Sequence, residues 1–270
     1  MNLIDCSSWY GKWPFKDLRY SDLPTMENKL KSCGIKKVFI SPLDAVFSQA
    51  AHDANDKLDE LLGDNAFFSL VPVIDLMMPD WREAVDKAIA AENVKIIKLL
   101  PEYHLYELNE EKLEELVEKT SASGLVISVP FKIEDPRGQY PLLDIKGLDP
   151  VKTAKVLSYF RQQKFIINNA YWRDLNDIYY ILENACFDIA MLEPVPPLKK
   201  IKEKYSLERF VFAANCPLFY PEGNLNKLKY AGLPQEDIDK VAFKNIEKLL
   251  TRRTIRCLIH QNHGINIKTA

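Results

Sequence analysis

The stretch Asn2-Leu-Ile-Asp-Cys-Ser-Ser-Trp-Tyr-Gly-Lys-Trp-Pro-Phe15 decides the fold of this chain. Its apolar pair, Leu3 and Ile4, runs directly into Asp5, and a polar and aromatic turn with a glycine and a proline follows. This pattern is typical of a buried strand that ends at a pocket. We therefore expect the residues just after Ile4 to contribute to a functional site.

Short apolar or β-branched runs alternate with longer amphipathic segments along the rest of the chain. Strands are predicted from residue 3 and at residues 37–40, 66–74, 94–100, 125–129, 164–167, 187–192 and 210–213. A helical segment follows each of them, the sixth at residues 175–184. Repeated strand–helix units favour a (β/α)8 barrel, a single-domain α/β fold of about 250 residues. An open doubly wound sheet, which normally needs fewer units, is the alternative.

Composition and charge limit the partners that the chain is expected to have. The 36 basic and 38 acidic side chains nearly cancel, so we expect no attraction to nucleic acid or to an anionic membrane. No secretory signal or membrane-spanning apolar run is visible, which predicts a cytoplasmic protein. The five cysteines are odd in number and lack C-x-x-C spacing, which argues against a disulfide framework or a zinc knuckle.

The predicted barrel covers residues 1–250, and residues 251–270 form a C-terminal tail. The tail contains basic residues and two histidines but has no clear periodicity. It is expected to be either a subunit contact in a homo-oligomer or a poorly ordered end.

Reactive residues of a (β/α)8 barrel lie at the carboxyl ends of its strands and in the loops that follow. The predicted register therefore brings distant parts of this chain to one mouth. The residues expected there are Asp5 to Trp9, Pro101 to Tyr106, Ser128, Asn168, Asn169, Glu193, Asn215 and Cys216.

Several of these stretches resemble the amidohydrolase superfamily, whose first strand ends in Asp-x-His-x-His-x-Gly. Asp5 and Gly11 stand in that frame, whereas Ser7 and Trp9 occupy the two histidine positions. Further similarity to the amidohydrolase-related branch of hydrolases and decarboxylases lies in Trp13-Pro-Phe15, Lys98-Leu-Leu-Pro-Glu-Tyr103, Glu134-Asp-Pro-Arg137 and Phe212-Ala-Ala-Asn-Cys-Pro217. The resemblance implies the same barrel fold.

The resemblance also implies a divalent metal site, but the residues at the implied ligand positions differ. Those positions hold Ser7, Trp9, Lys98 or Leu100, Ser128, Asn169 or Asn168, and Asn215. None offers the imidazole, thiolate or carboxylate groups that zinc selects. We therefore expect no metal and no other cofactor.

Three residues are candidates for acid–base chemistry at the mouth: His104, Lys98 and Glu134. His104 is alternatively a loop histidine bonded to backbone, and Lys98 alternatively points outward or toward the barrel bottom. The expected binding residues are Asp5, Ser7, Trp9, Tyr103, Ser128, Arg137, Asn169 and Asn215. Arg137 would clamp a substrate carboxylate unless it pairs within its own loop, and Asp5 alternatively has a purely structural role.

Two classes of function follow for a small-molecule ligand. The first is an amidohydrolase-like hydrolase of a lactone, amide or carboxylated metabolite that works without a bound metal. The second is a binding or regulatory barrel that keeps the pocket but has lost turnover.

Overall fold

The protein is described by a computed structural model over residues 2–251. Parallel strands in this part of the chain form two hydrogen-bonded groups. Their bounds are β1 Leu3–Tyr10, β2 Ile35–Pro42, β3 Phe68–Leu70, β4 Val73–Ile74, β5 Ile96–Leu99, β6 Val126–Pro130, β7 Phe165–Asn168, β8 Ala185–Asp188 and β9 Phe210–Val211. The first group has the order β1-β2-β3, and the second runs from β4 to β9 in sequence order.

Backbone hydrogen bonds join the last strand to the first and close the sheet into a barrel. The Cys6 amide donates to the Phe212 carbonyl over 3.0 Å, and the Asn215 amide donates to the Ser7 carbonyl over 2.9 Å. The Trp9 amide continues this ladder to the Cys216 carbonyl over 2.7 Å. The first barrel strand and the segment of the last one are thereby held next to each other.

Strands β3 and β4 are two halves of the third barrel strand, which is interrupted at Pro72. Proline has no amide hydrogen and cannot donate to a ladder. The pairing nevertheless continues on both sides, because the Val71 amide bonds the Ile40 carbonyl and the Lys98 amide bonds the Pro72 carbonyl. Counted this way, the barrel has eight strand positions within residues 2–251, and the predicted (β/α)8 fold is confirmed.

Each barrel strand is followed by a helix on the outer surface. The helices are α1 Leu23–Ser32, α2 Ala51–Leu62, α3 Trp81–Ala90, α4 Glu110–Ser123, α5 Pro150–Tyr159, α6 Trp172–Ile178, α7 Pro197–Lys204, α8 Pro221–Lys229, α9 Gln235–Asp239 and α10 Asn245–Leu250, with a π-helical turn, Lys240–Lys244, between the last two. Asp22, Asn109 and Asp149 cap α1, α4 and α5 through their side-chain oxygens. No helix within residues 2–251 is long and apolar enough to cross a membrane.

Several predicted boundaries were wrong: the sixth helix ends at Ile178 rather than at residue 184, and two further differences have a clear physical cause. The sixth helix begins three residues earlier than predicted, because Asp174 and Glu193 accept hydrogen bonds from the amides of Tyr171 and Trp172 at its start. The seventh barrel strand ends at Asp188, since the apolar residues after it form a turn in which the Leu192 amide bonds the Ile189 carbonyl. The predicted tail, apart from Thr251, lies outside the described residues.

Inward-facing side chains form layers along the barrel axis, because alternate residues of a strand share one face. The lower layer is apolar. It contains Cys6, Phe39, Val71, Ile96, Val126, Ile166, Cys186, Val211 and Ala213. Two residues further along several of these strands the inward side chains are polar, and this change creates the candidate site.

Candidate functional site

The polar layer lies directly above the lower apolar layer, at the carboxyl ends of the strands. We define it as Asp5, Ser7, Lys98, Ser128, Asn168, Asn169, Asp188 and Asn215. All eight side chains belong to residues that are at most 1% exposed. Buried polar groups are costly unless they are bonded, so the partners of each group decide what the layer can do.

Asp5 ties the first strand to the last one. Its Oδ1 accepts hydrogen bonds from the amides of Ser7 and Ala214, over 3.0 and 2.8 Å, and its Oδ2 accepts one from the Ser8 hydroxyl over 2.6 Å. Burial raises the pKa of the Asp5 carboxyl to about 6, although these three donors act in the opposite direction. Asp5 therefore fixes the middle of β1 to the segment that follows β9.

Lys98 places its amine inside the barrel, on the inward face of β5. Its Nζ donates to the Ser7 Oγ over 3.3 Å and lies 3.9 Å from the centre of the Trp9 ring. It forms no ion pair with a carboxylate of the described residues. Burial lowers the pKa of Lys98 to about 7, while Cys6, Asp5 and Asp188 act in the opposite direction. Burial therefore favours the uncharged form of this amine.

A second set of polar residues bonds across β6, β7 and β8. The Ser128 hydroxyl donates to the Asn168 Oδ1 over 2.5 Å, and the Asn168 Nδ2 donates to the Asp188 Oδ2 over 2.9 Å. The Asp188 carboxylate also accepts from the amides of Asn169 and Ala190. Burial raises the pKa of Asp188 despite these donors.

Asn169 and Asn215 face each other across the mouth and bond through their side-chain amides. Both residues have left-handed backbone conformations, with φ of 61° and 52°, which asparagine tolerates better than most residues. Asn169 also donates to the Lys132 carbonyl over 2.8 Å. The Oδ1 of Asn215 is buried and has no hydrogen-bond partner among the described residues, so one acceptor in the layer is available to a ligand.

An apolar mouth cover closes the polar layer from above. Its inner residues lie within or just after the carboxyl ends of four strands and pack in one cluster: Trp9, Trp13, Leu43, Leu100 and Ile133. An outer aromatic group packs on Trp13 and includes Phe15, Phe47, Tyr103 and Tyr140. Because Trp9 and Trp13 are almost fully buried, a ligand reaches the polar layer only when the cover moves.

His104 lies beside this mouth rather than in the polar layer. Its side chain is only 2% exposed, with Nε2 2.9 Å from the Ala45 carbonyl and Nδ1 3.7 Å from the Asp75 carboxylate. The Nδ1 atom has no hydrogen-bond partner among the described residues. The imidazole thus bonds backbone, as one sequence interpretation proposed, while one nitrogen faces a carboxylate.

The loop after β6 holds two further predicted residues, Glu134 and Arg137. Glu134 is buried and accepts a hydrogen bond from Lys16 over 3.1 Å. Arg137 is 84% exposed in its side chain and bonds Asp135 through two nitrogens, over 2.9 and 2.7 Å. This ion pair lowers the pKa of Asp135 to about 2. Tyr103 packs against Phe47, with 5.6 Å between ring centres.

Sequence reasoning missed Asp188, although this residue is central to the polar layer. The run Phe187-Asp-Ile-Ala-Met-Leu192 was interpreted as a continuous strand, which placed Asp188 near its start. An aspartate inside an apolar run was the available signal, because a buried carboxylate needs several donors.

A cavity of about 220 Å³ lies outside the barrel, between α2 and α3. Several acidic residues line it, but His52 pairs with Asp80 over 2.9 Å and Lys87 pairs with Asp56. These pairs and the position on the outer surface separate this cavity from the polar layer.

The polar layer does not fit a transition metal. Hydroxyl and amide groups stand at most of the positions where the family resemblance implies ligands, and four of them bond in two pairs. Zinc selects imidazole, thiolate and carboxylate donors. No group of three or more such side chains that could hold a metal ion occurs within residues 2–251.

Comparison with known proteins gives matches of structure only. No family model matches the chain, and no curated protein sequence matches it. Among solved structures, 5-carboxyvanillate decarboxylase from Sphingomonas paucimobilis has a TM-score of 0.69 at 12% identity, with 92% of this chain and 98% of that chain covered. A putative amidohydrolase from Staphylococcus aureus has a TM-score of 0.66 at 14% identity, covering 93% and 99%.

A third similar structure carries a metal. Dihydroxybenzoic acid decarboxylase from Polaromonas, with bound manganese and 2-nitroresorcinol, has a TM-score of 0.69 at 15% identity and covers 93% of this chain and 97% of that one. The agreement extends over nearly the whole length of each protein. The chain described here therefore has the (β/α)8-barrel fold of these decarboxylases and amidohydrolases.

Proposed function

We propose that this protein is a metal-independent, amidohydrolase-like hydrolase of a small lactone, amide or carboxylated metabolite. The observation that carries the proposal is the Lys98 amine, which is buried at the carboxyl ends of the strands without a carboxylate partner. A strongly shifted pKa at such a position is typical of functional groups. The similar decarboxylases and amidohydrolases support the reaction class only through their shared fold.

In the proposed reaction the uncharged Lys98 amine takes a proton from water as the water attacks the substrate carbonyl. The Ser7 hydroxyl, 3.3 Å from the amine, orients it. Lys98 then returns the proton to the leaving group. The mouth cover excludes bulk water, which strengthens each of these polar interactions.

A test compares the wild-type protein with Lys98→Met on a panel of lactones, amides and carboxylated metabolites, with a chelator present throughout. We expect turnover by the wild type, with kcat/KM rising as the pH passes about 7, and loss of turnover in the variant. Lys227→Met is the matched control, since Lys227 is also largely buried but donates to the carbonyls of Ile189 and Ala190. Equal turnover in Lys98→Met and the wild type would contradict the role of Lys98.

His104→Ala belongs in the same comparison because His104 is the other candidate acid–base group. Its nitrogens face the Ala45 carbonyl and Asp75, so we expect a smaller loss than in Lys98→Met. If turnover were lost in His104→Ala but kept in Lys98→Met, the acid–base role would belong to His104 instead of Lys98.

The second candidate function is a non-catalytic small-molecule-binding barrel. The specific observation that favours it is the closed mouth, in which Trp9, Trp13 and every residue of the polar layer are almost fully buried. Saturable stabilisation by a metabolite, without turnover of any panel compound, would support this candidate over the hydrolase.

A further inference from the structure

The Lys98 amine is unusual among the buried polar groups because so few of its hydrogen-bonding positions are used. A lysine ammonium has three donors, but this one makes a single 3.3 Å hydrogen bond, to Ser7. By contrast, the buried carboxylates of Asp5 and Asp188 each accept at least three hydrogen bonds. The layer therefore satisfies its anions and leaves its one internal amine nearly unbonded.

The surroundings of the amine favour its uncharged form. The amine is desolvated between the buried Trp9 ring and the lower apolar layer, and this desolvation outweighs the attraction of the ring face and of Asp5 and Asp188 for an ammonium. An isolated ammonium is costly in such a place, and the pKa of Lys98 is accordingly lowered to about 7. A lysine amine desolvated in this way is a nucleophile for carbonyl carbon.

We propose that Lys98 forms an imine with a small aldehyde or ketone at the mouth of the barrel. The nitrogen lone pair attacks the carbonyl carbon, and a proton moves from nitrogen to oxygen to give a carbinolamine. The carbinolamine then loses its hydroxyl group and the second nitrogen-bound hydrogen as one molecule of water, leaving a carbon–nitrogen double bond. No oxidant, reductant or metal is needed.

Two residues of the polar layer fit this step. The Ser7 hydroxyl contacts the amine and can carry its protons. Asn215 follows β9, and its backbone amide donates a hydrogen bond to the Ser7 carbonyl over 2.9 Å. The free Oδ1 of Asn215 is a buried acceptor for the carbinolamine hydroxyl, whereas a ligand without a hydroxyl or amine would leave it unbonded.

This inference goes beyond the proposed hydrolase, because an imine forms through nucleophilic attack by lysine rather than by water. The two are also separable in practice. A protein that traps a carbonyl compound but turns over no panel substrate supports the imine and contradicts the hydrolase. Turnover of a panel substrate without trapping of a carbonyl compound supports the hydrolase and contradicts the imine.

The experiment treats the full-length protein near neutral pH with propanal or pyruvate and sodium cyanoborohydride, which reduces an imine to a stable secondary amine. Intact mass and peptide mapping then give the number and position of adducts. We expect the first adduct at Lys98, absent in Lys98→Met and retained in Lys227→Met. Mapping separates Lys98 from the α-amino group, whose usual pKa is near 8.

The pH dependence of the labelling rate is an independent test of the imine. Labelling of Lys98 should reach half its maximum rate near pH 7, well below that of exposed lysines, whose usual pKa is about 10.4. Adducts distributed over exposed lysines, with Lys98 unlabelled in the folded wild type, would overturn the inference. Because mapping of the wild type decides this point, the result does not depend on whether Lys98→Met folds.

Discussion

The hydroxyl of Ser128 and the side-chain amide of Asn168 bond to each other across β6 and β7, with 2.5 Å between Oγ and Oδ1. Asn215 and Asn169 are bonded in the same manner. Positions at which the family resemblance implies metal ligands are therefore satisfied within the protein. These hydrogen bonds between neutral side chains hold the polar layer together with the carboxylates of Asp5 and Asp188.

Ser128→Ala should destabilise the protein by about 1–3 kcal/mol, because it leaves the buried Asn168 Oδ1 without its donor. Urea unfolding followed by circular dichroism measures the difference. Ser32→Ala is the matched control, since Ser32 bonds a helix carbonyl at the exposed end of α1, and its effect should stay within about 0.5 kcal/mol. Equal stabilities of the two variants would contradict the importance of the network.

Asp188→Asn should lower the free energy of unfolding by more than Ser128→Ala does, by about 3 kcal/mol. The new amide group has only one acceptor oxygen, and its nitrogen faces the donors that the carboxylate now satisfies, from Asn168, Asn169 and Ala190. The same unfolding measurement applies, with exposed Asp177→Asn as control. A neutral effect of Asp188→Asn would show that the carboxylate is protonated and already donates a hydrogen bond.

Lys98 should make the free energy of unfolding rise with pH. Its pKa is about 7 in the folded protein and near 10.5 when the chain unfolds, so the unfolded chain binds more protons between these values. At about 1.4 kcal/mol per pKa unit, the full effect is on the order of 5 kcal/mol. In Lys98→Met this rise is lost, and the wild type should gain stability relative to the variant from pH 7 to 9.5.

Lys240→Met is the control for that pH series. Asp237 raises the pKa of Lys240, so this lysine stays protonated in both states up to pH 9.5 and the difference from wild type should stay constant. Parallel curves for Lys98→Met and the wild type would mean that the amine keeps its ordinary pKa in the folded protein.

Trp13→Leu should increase the rate at which acetic anhydride labels Lys98, because Trp13 belongs to the cover above the polar layer. Peptide mapping at fixed times measures the rate. Trp81→Leu removes a similarly buried indole from α3, outside the mouth, and should leave Lys98 labelling unchanged. Equal labelling in the two variants would contradict a closing role for the cover.

Much of the fold was predictable because strand and helix periodicities differ and each strand is short and apolar. The break at Pro72 and the end of the seventh barrel strand were not, since tertiary bonds to Ile40 and Lys98 and the turn after Asp188 decide them. The positions of Ser128 and Asn215 near the carboxyl ends of their strands were predictable from the strand pattern, whereas Ser7 lies within β1, which continues to Tyr10. The closed cover was not predictable, because apolar residues after a strand fit an open pocket wall as well as a plug.

Asp5 has a further consequence for how the chain is made. Its carboxylate accepts a hydrogen bond from the Ala214 amide, which lies 209 positions further along the chain. During synthesis this hydrogen bond can form only after almost the whole barrel has emerged from the ribosome. Until then Asp5 keeps its hydration and the edge of β1 stays unpaired, which is a condition that favours association with other chains. A chain that terminates before β9 should therefore be cleared by chaperones and proteases rather than accumulate as a smaller folded protein.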